Sequence, residues 1–374
     1  MKKMSFSNLS KLTITLVIMC ACFSYTLSAQ TKPLRIAVAG IAHGHSGWIL
    51  GHKPVDYMTV VGICEPDKTL LQKEAKHFKL NENILFNDLN AMLDKVKPEA
   101  VVAFGSIYDH LAVVKACAPR GIHVMVEKPL AVSVKDAIEM EALAKKYNIQ
   151  LLTDYETSWY PSTAKTYQLV YDSSYIGDMR KAVFHHGHEG PREIGVSDDF
   201  FNWLTDPVKN GGGAIVDFGC YGANIMTWLT KGEKPISVSA VTRQFKPAIY
   251  PKVDDDATIL VSYPTSQAII QASWNWPFGR KDMEVYGTTG YIKTVDNSVV
   301  HIRKAKEKSE TTMAYTTNDI PVYVDPFEYF SNVIRKNIKV EPYGLYSLEN
   351  NMMVVNILEA AKESAKTGKA VLLK

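Results

Sequence analysis

Between Pro33 and about Thr153, short apolar runs alternate with amphipathic stretches, and this rhythm restricts the fold more than any other feature of the chain. Residues 35–39, 59–64, 100–104, 122–126 and 150–153 carry little charge and read as strands buried on both faces. Residues 70–78, 110–118 and 134–147 have helical periodicity, and Ser133 with Asp136 three positions later marks a helix start. Buried strands each followed by a helix predict a doubly wound parallel sheet. After Asp154 the rhythm changes. Residues 179–188, 236–245, 257–263, 267–274, 283–286 and 291–295 alternate in polarity, and Gly287-Thr-Thr-Gly290 predicts a turn between the last two. The expectation is an α/β domain over 33–153, then an α+β domain over 154–374. The second would hold a predominantly antiparallel open sheet with helices on one face and a terminal helix over 345–367.

The first 29 residues read as a signal peptide. Lys2 and Lys3 precede an apolar run from Leu12 to Phe23, too short to span a bilayer comfortably, and Leu27-Ser28-Ala29 suits cleavage after Ala29. A lipoprotein at Cys20 or Cys22 is the weaker alternative, because Met19 is a poor small-residue neighbour. The expected location is periplasmic or secreted, with no membrane span after cleavage. The full chain has 42 basic and 39 acidic side chains, and losing Lys2, Lys3 and Lys11 with no acid balances them. That argues against nucleic acid, which needs clustered positive charge. Cys64, Cys117 and Cys220 remain, an odd set in apolar contexts that reads as buried thiols.

Gly40-Ile-Ala-His-Gly-His45 follows the first strand, where a dinucleotide fingerprint belongs. Ala42 takes the second glycine slot and His45 the third, the larger departure, since that glycine normally lets helix and strand pack closely. Gly40, Ala42, His43, Gly44 and His45 are the candidate phosphate-binding residues. Glu65 ends the second strand where an acid binds adenosine ribose hydroxyls, and its charge favours NAD over NADP. A competing reading makes His43 and His45 metal ligands with His185, His186, His188 and Glu189. The simpler reading assigns no metal and lets these imidazoles contact phosphate or substrate hydroxyls, His186 and His188 facing the substrate.

Two further segments carry chemistry. Glu127-Lys128-Pro129 closes the strand at 122–126, and ligands of parallel sheets bind beyond the carboxyl ends of strands. In Asn210-Gly-Gly-Gly-Ala-Ile-Val-Asp-Phe-Gly-Cys-Tyr221 three glycines permit a tight turn; if a helix runs on from Ala214, Asp217 and Tyr221 share one face. A lysine, a carboxylate and a phenol make a proton-transfer set in which the lysine lowers the phenol pKa.

These two segments together resemble the glucose–fructose oxidoreductase/inositol dehydrogenase family, often written Gfo/Idh/MocA, over nearly all of residues 33–374. The resemblance implies a Rossmann NAD-binding domain and an α+β domain whose open sheet forms a homo-oligomer, a dimer or tetramer. It implies that Lys128 contacts both nicotinamide ribose and substrate and that Asp217 lies on the substrate side. Tyr221 takes a position commonly held by histidine, His110 follows the third strand as a cofactor contact, and Glu127 lies at the nicotinamide end. One departure is the segment from Asp154 to Pro161, which lacks the arginine that many members carry before this proline. Tyr155, Trp159 and Trp203 instead suggest an aromatic platform for a pyranose, with core packing as the alternative.

The expected reaction is hydride transfer between a secondary hydroxyl of a sugar and NAD, with Tyr221 accepting the proton, Lys128 polarising the oxygen and Asp217 fixing the geometry. An exported enzyme meets little free NAD, so the cofactor is expected to be tightly held and regenerated within each cycle. Relatives suggest two routes: coupled oxidation and reduction of two sugars, or glycoside cleavage by transient oxidation of the ring. A non-catalytic sugar-binding module is the reading from another class, supported only by the altered fingerprint.

Overall fold

The parallel order expected of the first half is present in a computed structural model that describes residues 32–373. The signal segment, with Cys20 and Cys22, lies outside the described residues. Strands β1 (Leu34–Ala39), β2 (Met58–Cys64), β3 (Leu85–Phe86), β4 (Ala100–Ala103), β5 (His123–Glu127) and β6 (Leu151–Asp154) form one sheet. Its order is β3-β2-β1-β4-β5-β6 and every pairing is parallel, the Rossmann arrangement. Leu34, Ile36, Val38, Val101 and Val124 are wholly or almost wholly buried, as strands covered on both faces require.

The helices of this half are α1 (Ser46–Leu50), α2 (Lys68–Phe78), α3 (Leu89–Val96), α4 (His110–Cys117) and α5 (Val134–Tyr147). Side-chain caps define their starts: Asp67 accepts from the Thr69 and Leu70 amides, Asp88 from Ala91, and Ser133 from Asp136. Lys79, Lys97 and Asn148 close α2, α3 and α5 in the left-handed conformation. Strand β3 and helix α3 were not expected; a two-residue strand leaves no periodicity to read.

The second half contains α6 (Pro161–Tyr171), β7 (Met179–Gly187), α7 (Asp198–Leu204), α8 (Ala214–Asp217), α9 (Gly219–Leu229), β8 (Ser237–Arg243), β9 (Asp256–Ser262) and β10 (Gln267–Ser273). There follow β11 (Arg280–Gly287), β12 (Gly290–Thr294), β13 (Val299–Lys304), β14 (Thr311–Ala314), α10 (Pro326–Ile334), α11 (Leu348–Thr367) and β15 (Val371–Leu372). The strands order as β14-β13-β12-β11-β7-β10-β9-β8-β15. All neighbours are antiparallel except β7 and β10, because β7 enters the middle of the sheet after a crossover from the first half. The Gly287–Gly290 turn joins β11 to β12 as expected. Helices α9 and α11 cover one face, α9 against β7 and β10 and α11 against β8. Both sheets belong to one compact unit, Leu34–Lys374.

Candidate functional site

Strands β5 and β6 end side by side, with Glu127 opposite Asp154, and deliver Lys128 into the space between the two sheets. From the other side comes α8, and the glycines before it explain its position. A Cβ on Gly213 would stand 1.8 Å from the Asp254 carbonyl oxygen, so only glycine allows the approach. The Asp254 carboxylate then accepts from the Gly213 and Ile215 amides and fixes the helix start. One turn later Asp217 meets Lys128: Nζ lies 2.5 Å from Oδ1 and 3.1 Å from the Asp217 carbonyl oxygen. The Trp274 indole N–H donates to the second carboxylate oxygen at 2.9 Å.

Both partners are buried. Burial alone would lower the Lys128 pKa, but Asp217 outweighs it and holds the ammonium above the usual lysine range. Burial likewise opposes ionisation of Asp217, yet Lys128 holds its pKa down at about 2. A carboxyl lowered on folding stabilises the protein above its unfolded pKa, and that stabilisation, about 2 kcal/mol, is lost as pH falls towards 2. Asp217→Asn is therefore expected to lower unfolding free energy at neutral pH by about 3 kcal/mol, since it strands a buried ammonium. Urea titrations should show the gap to wild type narrowing as the pH is lowered below about 4.

Tyr221 does not continue one helix from Asp217. Phe218 (φ −106°, ψ −28°) interrupts the helix between α8 and α9, and Tyr221 sits in the first turn of α9. Its ring lies under two ammonium groups, Lys128 Nζ at 5.2 Å and Lys281 Nζ at 5.3 Å from the centroid. Lys281 in turn pairs with Glu156. The expectation that lysine lowers the phenol pKa is overturned: burial, then Glu156 and Glu127, push Tyr221 well above the usual tyrosine value. Burial outweighs the two nearby cations, so Tyr221 rests as a protonated phenol.

The fingerprint histidines meet the same region from the first sheet. His45 Nδ1 lies 2.5 Å from Glu127 Oε1, while the other carboxylate oxygen accepts from the Lys128 amide at 2.9 Å. The His45 ring stacks on Trp48 at 3.6 Å. Burial and then the charges of Lys128 and Lys281 lower its pKa, so the imidazole is neutral. The metal set spanning both halves does not form. His185 lies 3.2 Å from Asp282, and His186 is buried beside Tyr221 with its pKa pushed by burial to about 3. His188 accepts from the Gly190 amide. Among the described residues, His43, His45 and Glu127 alone bring three candidate ligand atoms within 4.8 Å of one another. His43 Nδ1 accepts from the His45 amide, and His45 Nδ1 pairs with Glu127.

Away from this centre, a cleft of about 410 Å³ runs along the carboxyl ends of β1, β2 and β4. Gly40, at φ +75°, lets β1 turn hard against the Gly105 backbone, where a Cβ would stand 2.6 Å from the Gly105 nitrogen. Glu65 lines the cleft, its carboxylate accepting from the Ile41 and Asp67 amides at 3.0 Å each. His110 lines it too; its Nδ1 is 3.1 Å from the Leu130 carbonyl oxygen and its buried Nε2 has no partner. Tight glycine backbone and a strand-end acid fit an adenine dinucleotide, which Gly40, Ala42, Glu65 and His110 would hold.

Two of the aromatic platform residues lie elsewhere. Tyr155 is wholly buried and packs edge-on against Tyr221 at 5.5 Å, and Trp203 lines the dinucleotide cleft. Trp159 contacts Trp48 and donates to Asp154. His186, likewise expected to face substrate, backs Tyr221 instead, because strand alternation turns it into the core. His188 borders an open cleft of about 700 Å³ with Tyr160 and Lys281. Sequence reasoning missed Trp274, Lys281 and Glu156. Trp274 was legible only as a strand end, and the Lys281–Glu156 pair joins residues far apart in the chain.

Comparison with known proteins bears on the family and the fold. Residues 34–155 match the oxidoreductase family with NAD-binding Rossmann fold, and residues 165–293 match the GFO/IDH/MocA C-terminal domain. A trans-1,2-dihydrobenzene-1,2-diol dehydrogenase of Xenopus laevis is 26% identical over 282 residues, 70% of this chain and 77% of the relative. The NADP-dependent D-xylose 1-dehydrogenase of Haloarcula marismortui is 23% identical over 92% of this chain and 95% of its own length. The aldose–aldose oxidoreductase of Caulobacter crescentus shares the fold at a TM-score of 0.75 and 20% identity, over 91% of this chain and all of that one. An inositol dehydrogenase homologue of Azotobacter vinelandii in complex with NAD+ superimposes at 0.76 with 16% identity, over 92% and 98%. With both halves matched, the chain belongs to the GFO/IDH/MocA oxidoreductase family and carries its NAD-binding Rossmann domain.

Proposed function

We propose that this protein oxidises and reduces a secondary hydroxyl of a sugar or sugar derivative, using NAD that it holds through the catalytic cycle. The observation that carries the reading is the buried Lys128–Asp217 pair, with Tyr221 beneath it. Bound NAD supplies a hydride acceptor and donor. Lys128, kept charged by Asp217, binds and polarises the substrate oxygen. Trp274 prevents Asp217 from rotating away. Tyr221 carries the proton, donating it to a carbonyl oxygen during reduction and taking it from the hydroxyl during oxidation. NAD is favoured over NADP because Glu65 would repel a 2′-phosphate. Glu65→Gln should weaken NAD binding and narrow the preference over NADP, measured by titration of cofactor-stripped protein.

Export through residues 1–29 is part of the proposal, and it is the reason for a retained cofactor. Assembly as a dimer or tetramer would bury the outer face of the second sheet, where Val241, Leu260 and Tyr286 are exposed. Among the described residues no helix is long and apolar enough to cross a membrane. A second reading, glycoside cleavage through transient oxidation of the ring, is favoured by one observation. The neutral His45 imidazole, oriented by Glu127, adds a second group able to take a proton from carbon.

The deciding experiment is mass spectrometry of the small molecule released on denaturing the purified protein, with turnover assayed without added cofactor. Released NAD and turnover of a pyranoside support the proposal. A protein that neither releases nor binds a dinucleotide contradicts it. Solvent deuterium incorporated next to the oxidised carbon, with loss of the aglycone, would favour cleavage over net redox.

A further inference from the structure

Lys128 and Asp217 come from different halves of the chain, and each depends on a loop. Residues 129–133 lead from Lys128 into α5, and the glycine turn 211–213 leads into α8, which Asp217 closes. The 2.5 Å contact of the pair is therefore set by how these two loops lie against each other. They touch where Gly211, at φ +82°, packs on Val132. A Cβ on Gly211 would stand 3.3 Å from both the Val132 Cβ and the Val132 carbonyl oxygen, so glycine suits the backbone angle and the close approach together.

A third element holds the two loops at this point. Lys362 of α11 donates from Nζ to the Val132 carbonyl oxygen at 3.2 Å and to the Gly211 carbonyl oxygen at 3.1 Å. Apart from Lys128 and Asp217 themselves, no other side chain among the described residues hydrogen-bonds both loops. One turn earlier on the same helix, the Glu359 carboxylate accepts from the Val134 amide at 2.8 Å, satisfying a free donor at the start of α5. Helix α11 packs on α5 of the first half and on α8 and α9 of the second, so it spans the joint between them.

The state of Lys362 shows that it is drawn into this place. Burial lowers its pKa from the usual lysine value, opposed by the charges of Glu359 and Asp254. Lys366, one turn further along α11, is exposed instead. Taking an ammonium out of water is unfavourable unless hydrogen bonds offset it, and the two carbonyl oxygens are what Lys362 gains. Asp254 orients α8 within its own half through the Gly213 and Ile215 amides. Lys362 adds the link across to the loop that carries Lys128.

We infer that Lys362 is a positioning residue for the reaction: by tying the Val132 carbonyl to that of Gly211, it sets the distance at which Asp217 meets Lys128. It lines neither the dinucleotide cleft nor the open cleft beside His188, so it acts through the pair and not on a ligand. This inference rests on the reading of Lys128 and Asp217 given above.

The test follows the single-turnover rise in NADH absorbance of full-length, NAD-loaded protein mixed with D-xylose, D-glucose or myo-inositol. Lys362→Met keeps a helix-forming stem and removes the donors. It should slow the rise about ten- to a hundredfold, with the half-saturating sugar concentration and the retained NAD unchanged. Lys362→Arg, which restores charge and donors, should recover most of the rate. In an Asp217→Asn background Lys362→Met should have almost no further effect, because the pair it acts through is already broken. A lysine with a merely structural role would slow both backgrounds by the same factor. Melting temperatures check folding, and Lys362→Gln replaces the Met variant if that one melts below the assay temperature. A wild-type rate in the folded variant, or equal slowing in both backgrounds, overturns the positioning role and leaves the catalytic pair intact. Wild type that reduces no bound NAD with any of the three probes overturns both.

Discussion

Lys128→Met is expected to lower oxidation of a sugar hydroxyl by about a thousandfold while leaving NAD bound, because it removes the Asp217-paired cation proposed to polarise the reacting oxygen. The substitution also leaves Asp217 buried with only the Trp274 indole as a donor, so part of the loss could arise from instability. The pair itself separates the two effects. In Lys128→Met/Asp217→Asn no charge is left uncompensated, and stability should recover relative to either single variant. Turnover should not recover, because the oxygen still has no cation. Melting curves and kcat on the three variants decide it: restored activity in the double variant would make Lys128 a structural residue.

Tyr221→Phe is the second large effect, expected at about a hundred- to ten-thousandfold in kcat with little change in cofactor retention. The direction of the phenol pKa gives this prediction a sign. Burial raises it well above the usual value, so at neutral pH the phenol carries its proton. Reduction, which uses the protonated form, should be flat through neutrality and fall only in strong alkali. Oxidation, which needs the phenolate, should rise with pH throughout the accessible range. The two flanking ammonium groups favour the anion, so Lys281→Met should steepen the requirement for alkali. Profiles of kcat in both directions check this; a wild-type oxidation rate independent of pH would remove Tyr221 as the proton carrier.

What the sequence revealed follows from the range of the interactions involved. The parallel sheet was legible because each buried strand is a continuous apolar run, and the start of α5 because its cap is local. Lys128 and Asp217 were legible because a strand end and a glycine turn place them. Lys281, Glu156 and Trp274 were not, since their importance arises only when β10 and β11 pack beside β7 and face the first sheet. The direction of the Tyr221 pKa was invisible for the same reason: it depends on burial against Tyr155, His186 and Phe218, drawn from three separate segments. Trp203 looked like a sugar-stacking residue because its side chain type permits that role. Its position instead puts it on the cleft at the carboxyl ends of β1, β2 and β4.

In the mechanism proposed above, Lys128, Asp217 and Tyr221 drive hydride exchange between a sugar hydroxyl and a retained NAD. Its most direct test is a single-turnover measurement on the purified protein, with no cofactor added, following nicotinamide absorbance after mixing with pyranosides. Wild type should show a rise approaching one reduced cofactor per bound NAD, and Lys128→Met carrying the same NAD should show none. No rise with any sugar in NAD-loaded wild type, or an equal rise in the variant, would contradict it.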